Sequence, residues 1–211
     1  MTISTFFPEG ISNRLVRAIQ STKPVDILVF GCGMSPLPRL LTYQFPTLNV
    51  LGYDYNRDKI QNAIAYAERF QHLLLQRNVE VLIPSFTSQR PNREFDVVTA
   101  VSAVHENPEE MIREMVELTA PSGTIAVLDY DMKGMPADDF FSRWGLTYLE
   151  RIELEAIGRQ EAHRLHTSFG LEDCVSIMQK NHVKMRYTEG RTEAIFGEPP
   201  TLHFLYVGTR A

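Results

Sequence analysis

Cysteine is scarce in this sequence. Its 211 residues include two cysteines, Cys32 and Cys174, which lie far apart along the chain. A disulfide framework or a cluster of metal-binding thiolates needs more cysteines than this. Two of the six histidines, His163 and His166, are three residues apart, but no His-Glu-x-x-His pattern accompanies them. We therefore expect no metal site.

Long apolar runs and clusters of basic residues are missing as well. No stretch of about 18 apolar residues occurs, and the first ten residues lack the basic and apolar parts of a signal peptide. The chain has 21 lysines and arginines against 26 aspartates and glutamates, a formal net charge of −5. No run of five or six basic residues could follow a phosphate backbone. We expect a soluble, cytoplasmic protein that binds neither membranes nor nucleic acid.

Short apolar runs alternate with segments of helical periodicity. The runs predict strands at 25–30, 49–53, 80–83, 95–101, 124–128, 183–187 and 202–207. Strands that alternate with helices indicate a mostly parallel sheet between two helical layers. Neither an internal repeat nor a long linker divides the chain, so we expect residues 1–211 to form a single domain.

The stretch FGCGMSPLPRLL, residues 30–41, follows the first predicted strand. Gly31 and Gly33 therefore lie at the carboxyl edge of the sheet, where open parallel sheets bind their ligands. Asp54 ends the second predicted strand, 21 residues after Gly33, where a carboxylate can accept both hydroxyls of an adenosine ribose. Taken alone, the glycines could form a plain strand-to-helix turn, and Asp54 could cap a helix. Together they predict a site for an adenosine-containing cofactor.

Two prolines in this stretch separate two classes of cofactor. The dinucleotide pattern needs a third glycine at position 36, with free N–H groups that face a pyrophosphate. This chain has Pro36 at that position and Pro38 two residues later. The two prolines remove two backbone N–H donors. With Ser35 as the capping residue they make a good helix start. S-adenosylmethionine (SAM) carries no phosphate and loses little, so we expect SAM rather than a nicotinamide dinucleotide.

At this point the chain resembles the class I SAM-dependent methyltransferases. The stretches VFGCGMS, GYDYN, FDVVTAVSAVHE and APSGTIAVLDYDMKG look like successive motifs of that superfamily. The stretches VHENPEE, SGTIAVLDYDMKG and SFGLEDC look most like small-molecule methyltransferases of the ubiquinone and menaquinone biosynthesis type. The resemblance implies a Rossmann-like α/β/α sandwich, whose seven-stranded, mostly parallel sheet has an antiparallel last strand.

The resemblance also implies which residues bind SAM. The chain departs from the family pattern at two places. Position 29 is Val29, where many members have an acid, and Pro84, Ser85 and Phe86 replace an acid that often lies near the adenine. Ser102 resembles a position whose backbone meets the methionine part of the cofactor. The expected cofactor-binding residues are Phe30, Gly31, Cys32, Gly33, Asp54, Tyr55, Ser85, Phe86 and Ser102.

Three residues at the carboxyl edge are candidates for the chemistry. His105 follows the fourth predicted strand, and its reference pKa of about 6.5 suits a general base. Asp129 and Tyr130 follow the fifth predicted strand and could contact a methyl acceptor. A loop hydrogen bond is the alternative role for His105, and satisfaction of turn donors is the alternative for Asp129.

Two segments are expected to cover the acceptor pocket. Residues 1–20 and 134–168 carry aromatic side chains among charged ones, as amphipathic helices do. We predict a SAM-dependent methyltransferase that acts on an O, N, C or S atom of a small molecule and could form a homodimer. A protein side-chain methyltransferase and a non-catalytic SAM-binding protein are the alternatives.

Overall fold

The apolar runs of the sequence form one seven-stranded sheet. The structure, a computed structural model, describes residues 11–33, 35–76, 82–143, 157–193 and 201–211. The strands are β1 (Asp26–Phe30), β2 (Asn49–Tyr53), β3 (Ser85–Thr87), β4 (Phe95–Val101), β5 (Thr119–Tyr130), β6 (Val183–Glu193) and β7 (Thr201–Arg210). Their order across the sheet is β3-β2-β1-β4-β5-β7-β6.

The strand directions confirm the predicted sheet. Each pairing among β1 to β5 is parallel, whereas β7 runs antiparallel to both of its neighbours, β5 and β6. The first residues of β7 therefore lie beside the last residues of β5, with His203 opposite Tyr130. The carboxyl ends of the parallel strands share one edge of the sheet. The predicted site residues lie along that edge, except Ser85 and Phe86, which lie within β3.

The third strand is not where the sequence placed it. Of the predicted strand 80–83, residues 80 and 81 lie outside the described part of the chain, and Leu82 and Ile83 are exposed and non-helical, without strand pairing. The strand that pairs with β2 is Ser85–Thr87, which begins directly after Pro84. The apolar character of residues 80–83 suggested a strand, but Leu82 and Ile83 are exposed and so are not buried in the sheet.

Helices cover both faces of the sheet. They are α1 (Ile11–Ser21), α2 (Leu37–Gln44), α3 (Arg57–Leu75), α4 (Pro108–Glu117), α5 (Ala137–Arg143), α6 (Arg159–Thr167) and α7 (Leu171–Lys180), with a 3₁₀ turn at Val104–Glu106. Apolar side chains of α1, α2 and α3 pack on one face, and those of α4 and α7 pack on the other. This arrangement is the predicted three-layer sandwich.

The predicted cover is described in part. Residues 1–10 and 144–156 lie outside the described residues, and the rest of the two segments falls mainly in α1, α5 and α6. Leu15 and Ile19 of α1 are buried against the sheet, whereas Phe140 of α5 and Ala162 of α6 pack on Tyr130 and Met132, just beyond the carboxyl end of β5. Within the described ranges, no helix has the length and apolar character needed to cross a membrane.

Candidate active site

The turn after β1 requires glycine at two positions. Gly31 has a φ of +59° and Gly33 a φ of +44°, a region that side chains with a Cβ atom rarely adopt. A Cβ atom on Gly31 would also lie 2.8 Å from the Cβ of Ala103 and 3.3 Å from Met111 Cε. The turn after β1 therefore lies close against the loop that follows β4. These two segments both belong to the predicted cofactor site.

Asp54 connects this turn to the end of β2. One carboxylate oxygen accepts the N–H of Gly33 at 2.9 Å, and the other accepts the N–H of Asn56 at 2.8 Å. Asp54 is 4% exposed. The alternative role, a cap for local backbone donors, is thus present in the structure. A carboxylate offers about four lone-pair directions, so the two bonds leave capacity for ribose hydroxyls.

The two prolines begin α2 much as expected. Ser35 Oγ accepts the N–H of Leu37 at 3.2 Å, and the carbonyl of Pro36 accepts the N–H of Leu40 at 3.0 Å. The helix itself begins at Leu37, one residue later than predicted. Because Pro36 and Pro38 have no N–H, this helix start offers few donors to a phosphate.

A cavity of about 620 Å³ opens beside the glycine turn. Its lining includes Phe30, Tyr53, Tyr55, Arg90 and Asn107, which come from the ends of β1 and β2 and the loops after β3 and β4. Tyr55 is 63% exposed, and its hydroxyl donates to Glu106 at 2.9 Å. The structure thus brings two predicted cofactor residues, Phe30 and Tyr55, to one cavity at the expected edge of the sheet.

Ser102 has an unusual backbone conformation at the same edge. It directly follows β4, and its φ of +50° is uncommon for a residue other than glycine. Its N–H donates to the carbonyl of Leu128 at 2.8 Å, and its buried Oγ has no hydrogen-bond partner among the described residues. Backbone strain and an unsatisfied hydroxyl are both typical of ligand-binding positions.

Cys32 and Phe86 are packed into the core behind the turn. A Cβ atom on Gly52 would lie 2.6 Å from the Phe86 ring and 3.0 Å from Cys32 Sγ. Burial, followed by the charge of Asp54, raises the pKa of the Cys32 thiol to about 12, so this thiol is not a nucleophile at neutral pH. Because Ser85 and Phe86 lie within β3 rather than after it, the backbone that follows this strand starts at Ser88.

His105 and Asp129 form a buried pair. His105 Nδ1 lies 2.7 Å from Asp129 Oδ1, and the backbone N–H groups of His105 and Tyr130 donate to the same carboxylate at 3.1 and 2.8 Å. Burial alone would raise the pKa of Asp129, but contact with His105 and the backbone donors outweighs it and lowers the pKa. An ionised Asp129 accepts a hydrogen bond from Nδ1–H, so in the neutral form of His105 the lone pair is on Nε2.

Aromatic rings surround this pair. The ring centroid of His105 lies 4.5 Å from that of His166 on α6 and 5.2 Å from that of Tyr130. Tyr130 also lies 5.0 Å from His203 of β7, and Phe140 of α5 lies 5.9 Å from His166. The three predicted catalytic residues, His105, Asp129 and Tyr130, are therefore in direct contact under the helices of the cover.

The sequence suggested that His166, with Arg159, His163 and Arg164, either binds an anionic or phenolic acceptor or forms a solvated face of the cover, and it gave His203 no role. The charged neighbours of His166 on α6, Arg159, Glu161 and Arg164, favour an exposed polar surface, but His166 is buried. The four-residue spacing of Ala162 and His166 is the signal for a common buried face. An antiparallel last strand would have placed the first residues of β7 beside Tyr130, which is the signal for His203.

The described residues contain no group of three or more histidine, cysteine, aspartate and glutamate side chains arranged to hold a metal ion.

Comparisons with known proteins agree with the geometry. Residues 28–125 match the family model described as a methyltransferase domain. Over these residues the chain is therefore similar to methyltransferase domains. The match spans β1 to β5 and so includes the glycine turn, Asp54, Ser102 and His105. A comparison with curated protein sequences finds no match.

Solved structures share the fold of this methyltransferase. Magnesium protoporphyrin IX methyltransferase from Synechocystis PCC 6803, with bound SAM, is 16% identical with a TM-score of 0.60, over 95% of this chain and 77% of that one. The N-methyltransferase NodS from Bradyrhizobium japonicum WM9 is 13% identical with a TM-score of 0.55, over 94% and 95%. A SAM-dependent methyltransferase from Methanosarcina mazei is 13% identical with a TM-score of 0.59, over 88% and 92%.

The residues at the carboxyl edge fit SAM. The methyltransferase turn offers a close backbone approach at Gly31 and Gly33, Asp54 has acceptor capacity for a ribose, and Ser102 has a buried hydroxyl that lacks a partner among the described residues. Val29 is buried in the core, so position 29 offers no charged anchor for the ammonium group of SAM.

Proposed function

We propose that this methyltransferase transfers the methyl group of SAM to a small molecule, with His105 as the general base. The observation that carries this proposal is the burial of the His105–Asp129 pair, with His105 4% and Asp129 0% exposed. A side chain of a folded protein could not reach such a base without a large opening of the cover. A small molecule would need only a small opening to enter beneath the cover, where water would be excluded.

The residues of the chain divide the work between binding and proton transfer. Bound SAM supplies an electrophilic methyl group that is already activated by its sulfonium. Gly31, Gly33 and Asp54 would hold the adenosine, with Tyr55 against the adenine and Ser102 toward the methionine part. Phe30 would line the cofactor cavity, and Cys32 and Phe86 would support the turn by packing behind it. Ser85, the first residue of β3, would lie away from the carboxyl edge.

The pair then acts as an oriented base. Asp129 fixes the proton of His105 on Nδ1, so Nε2 can accept the proton that an O–H, N–H or S–H acceptor loses when it bonds to the methyl carbon. The imidazolium formed is stabilised by the ionised carboxylate and returns its proton to water after product release. Tyr130 contributes a backbone donor to Asp129 and a ring to the wall of the pocket.

A turnover experiment tests this proposal. Purified protein is incubated with methyl-labelled SAM and a panel of small phenols, carboxylic acids, amines and thiols, or with an unfolded protein mixture. We expect S-adenosylhomocysteine (SAH) and labelled product with at least one small-molecule class. His105→Gln should lower that rate by about 10²- to 10⁴-fold and leave SAH affinity unchanged. His72→Gln, a change at an exposed position of α3, should leave both the rate and the affinity unchanged.

Each other outcome contradicts part of the proposal. Label that enters only the protein mixture would support the protein-methylating alternative. Tight SAH binding without turnover on any acceptor would favour a non-catalytic SAM-binding protein. Equal turnover by His105→Gln and the wild type would remove His105 from the mechanism.

We also propose that the protein works in the cytoplasm, without a nucleic-acid partner, and that it could form a homodimer. The formal charge of −5 and the lack of basic runs support the absence of nucleic-acid binding. Light scattering after size-exclusion chromatography would measure the mass in solution, and 24.1 kDa for the single chain would contradict the homodimer.

A further inference from the structure

His166 lies where the cover meets the proposed base. It sits near the end of α6 and is 4% exposed, whereas Arg159 and Arg164 of the same helix point to solvent. Its ring lies on that of His105 with an interplanar angle of 33° and a centroid distance of 4.5 Å. Rings of Tyr130 and Phe140 pack on it at 5.2 and 5.9 Å. In the described part of the cover, the imidazole ring of His166 packs on that of the proposed base.

The groups around His166 determine its charge. The titratable residues that face it are His105 from the 3₁₀ turn and Asp129 and Tyr130 from β5, with His203 behind Tyr130. On the same helix, His163 Nε2 forms a hydrogen bond of 2.7 Å with the carbonyl oxygen of Met135. Burial, followed by the proximity of His105, lowers the pKa of His166 to about 3, although Asp129 opposes this. His166 is therefore an uncharged ring at neutral pH.

We propose that His166 is a positioning residue that acts through His105. Its ring holds the imidazole of His105 against Asp129 and keeps water off the imidazole face. This inference rests on the proposed role of His105 as the general base. It assigns the cover a second task besides enclosing the acceptor, since α6 would set the surroundings of the His105 ring.

The physical argument depends on solvation. Asp129 favours the imidazolium form of His105, whereas a dry surrounding disfavours it. Removal of the His166 ring would admit water to the face of His105, stabilise the imidazolium and raise the pKa of His105. A phenyl ring at position 166 would keep that face dry. The contact is between ring faces, so it does not need a nitrogen atom of His166.

Histidine titration by NMR tests the proposal without an acceptor. The ring signals of His105, assigned by their loss in His105→Gln, are followed against pH in the wild type, His166→Phe, His166→Ala and His163→Ala. We expect His166→Ala to raise the pKa of His105 by about one unit. His166→Phe and the matched control His163→Ala, one turn away on α6, should leave it within about 0.3 units of the wild-type value.

Two results would overturn the proposal. An unchanged His105 pKa in His166→Ala would show that the ring does not control the base. An equal rise in His166→Phe would show that the imidazole itself, rather than the dry ring surface, is required. If His166→Ala does not fold, His166→Gln replaces it, with the same expected rise. Because the titration uses no acceptor, it can succeed even if His105→Gln proves active, so the two proposals fail separately.

Discussion

Gly31 combines a backbone conformation and a close contact that both require glycine. Gly31→Ala should lower the free energy of unfolding by about 2 to 4 kcal/mol, because the Cβ atom would be 2.8 Å from Ala103 Cβ in addition to the cost of a positive φ. It should also weaken SAH binding. Gly134→Ala is the matched control, since Gly134 has a φ of +72° and a Cβ atom added to it would meet no described atom within 4 Å.

Chemical denaturation and calorimetric titration with SAH would measure both effects. We expect Gly134→Ala to cost about 1 kcal/mol and to leave SAH affinity unchanged. Equal losses of stability in the two variants would show that Ala103 can move to accommodate the added Cβ atom. The contact between the turn and the loop after β4 would then not require glycine at position 31.

Asp54 serves both the turn and, in our proposal, the cofactor. Asp54→Ala should reduce SAH affinity at least about 10-fold, because it removes the ribose acceptor and frees the N–H of Gly33. Asp58→Ala, on the exposed first turn of α3, should retain the wild-type affinity. A calorimetric titration in which Asp54→Ala binds SAH as tightly as Asp58→Ala would remove Asp54 from the cofactor site.

The neutral state of His166 makes stability depend on pH. The pKa of His166 is about 3 in the folded protein against 6.5 for a free histidine. Between these values the unfolded chain binds more protons, so stability falls as the pH is lowered, by up to about 1.4 kcal/mol per pH unit. The lowered pKa of Asp129 acts in a separate window, below its ordinary value of 3.8.

His166→Phe should therefore flatten the decline of stability between about pH 6 and pH 4. Urea unfolding at several pH values in this range measures the slope, and we expect a difference of about 1 kcal/mol per pH unit between variant and wild type. Parallel curves for the two proteins would contradict a neutral, buried His166.

Residues that directly follow a predicted parallel strand could be assigned to the site from the sequence. Gly31, Asp54 and His105 are of this kind, because the ends of such strands meet at one edge whatever the details of packing. His166 could not be assigned in this way. Its burial depends on how α6 is laid over the sheet, and the charged residues around it on the helix suggested an exposed surface.

At the scale of the elements, β2 was predicted at its bounds, whereas β5 and β6 are longer than the apolar runs that predicted them at 124–128 and 183–187. The strand 95–101 is a clear apolar run and was found at its predicted bounds. β3 has three residues, too few for a pattern, and the apolar residues just before it were mistaken for the strand. β5 extends to Tyr130 because pairing with β7 continues beyond the apolar run.

The start of α2 provides a test at this scale. Pro36 and Pro38 leave Leu37 as the donor that most needs a partner, and Ser35 Oγ supplies it. Ser35→Ala should lower the free energy of unfolding by about 1 kcal/mol, measured by urea denaturation. Ser88→Ala, in the loop after β3 and away from any described helix start, is the control. An equal, negligible effect of both changes would show that α2 does not depend on this cap.

At the scale of the whole molecule, the alternation of strands and helices was sufficient to predict the layers. The sheet order and the direction of β7 required the family resemblance, because the sequence pattern of a strand does not depend on its direction. The same resemblance placed the cofactor, and the prolines of α2 gave an independent physical reason to prefer SAM over a dinucleotide.

The most direct test of this account is thermal unfolding with SAH, with NAD and with neither. A ligand at about 100 times its dissociation constant adds about 2.7 kcal/mol of stability. For a chain of this size, SAH should raise the midpoint by roughly 5 to 11 °C, and NAD should leave it unchanged. A rise with NAD and none with SAH would contradict the assignment of the glycine turn and Asp54 to SAM.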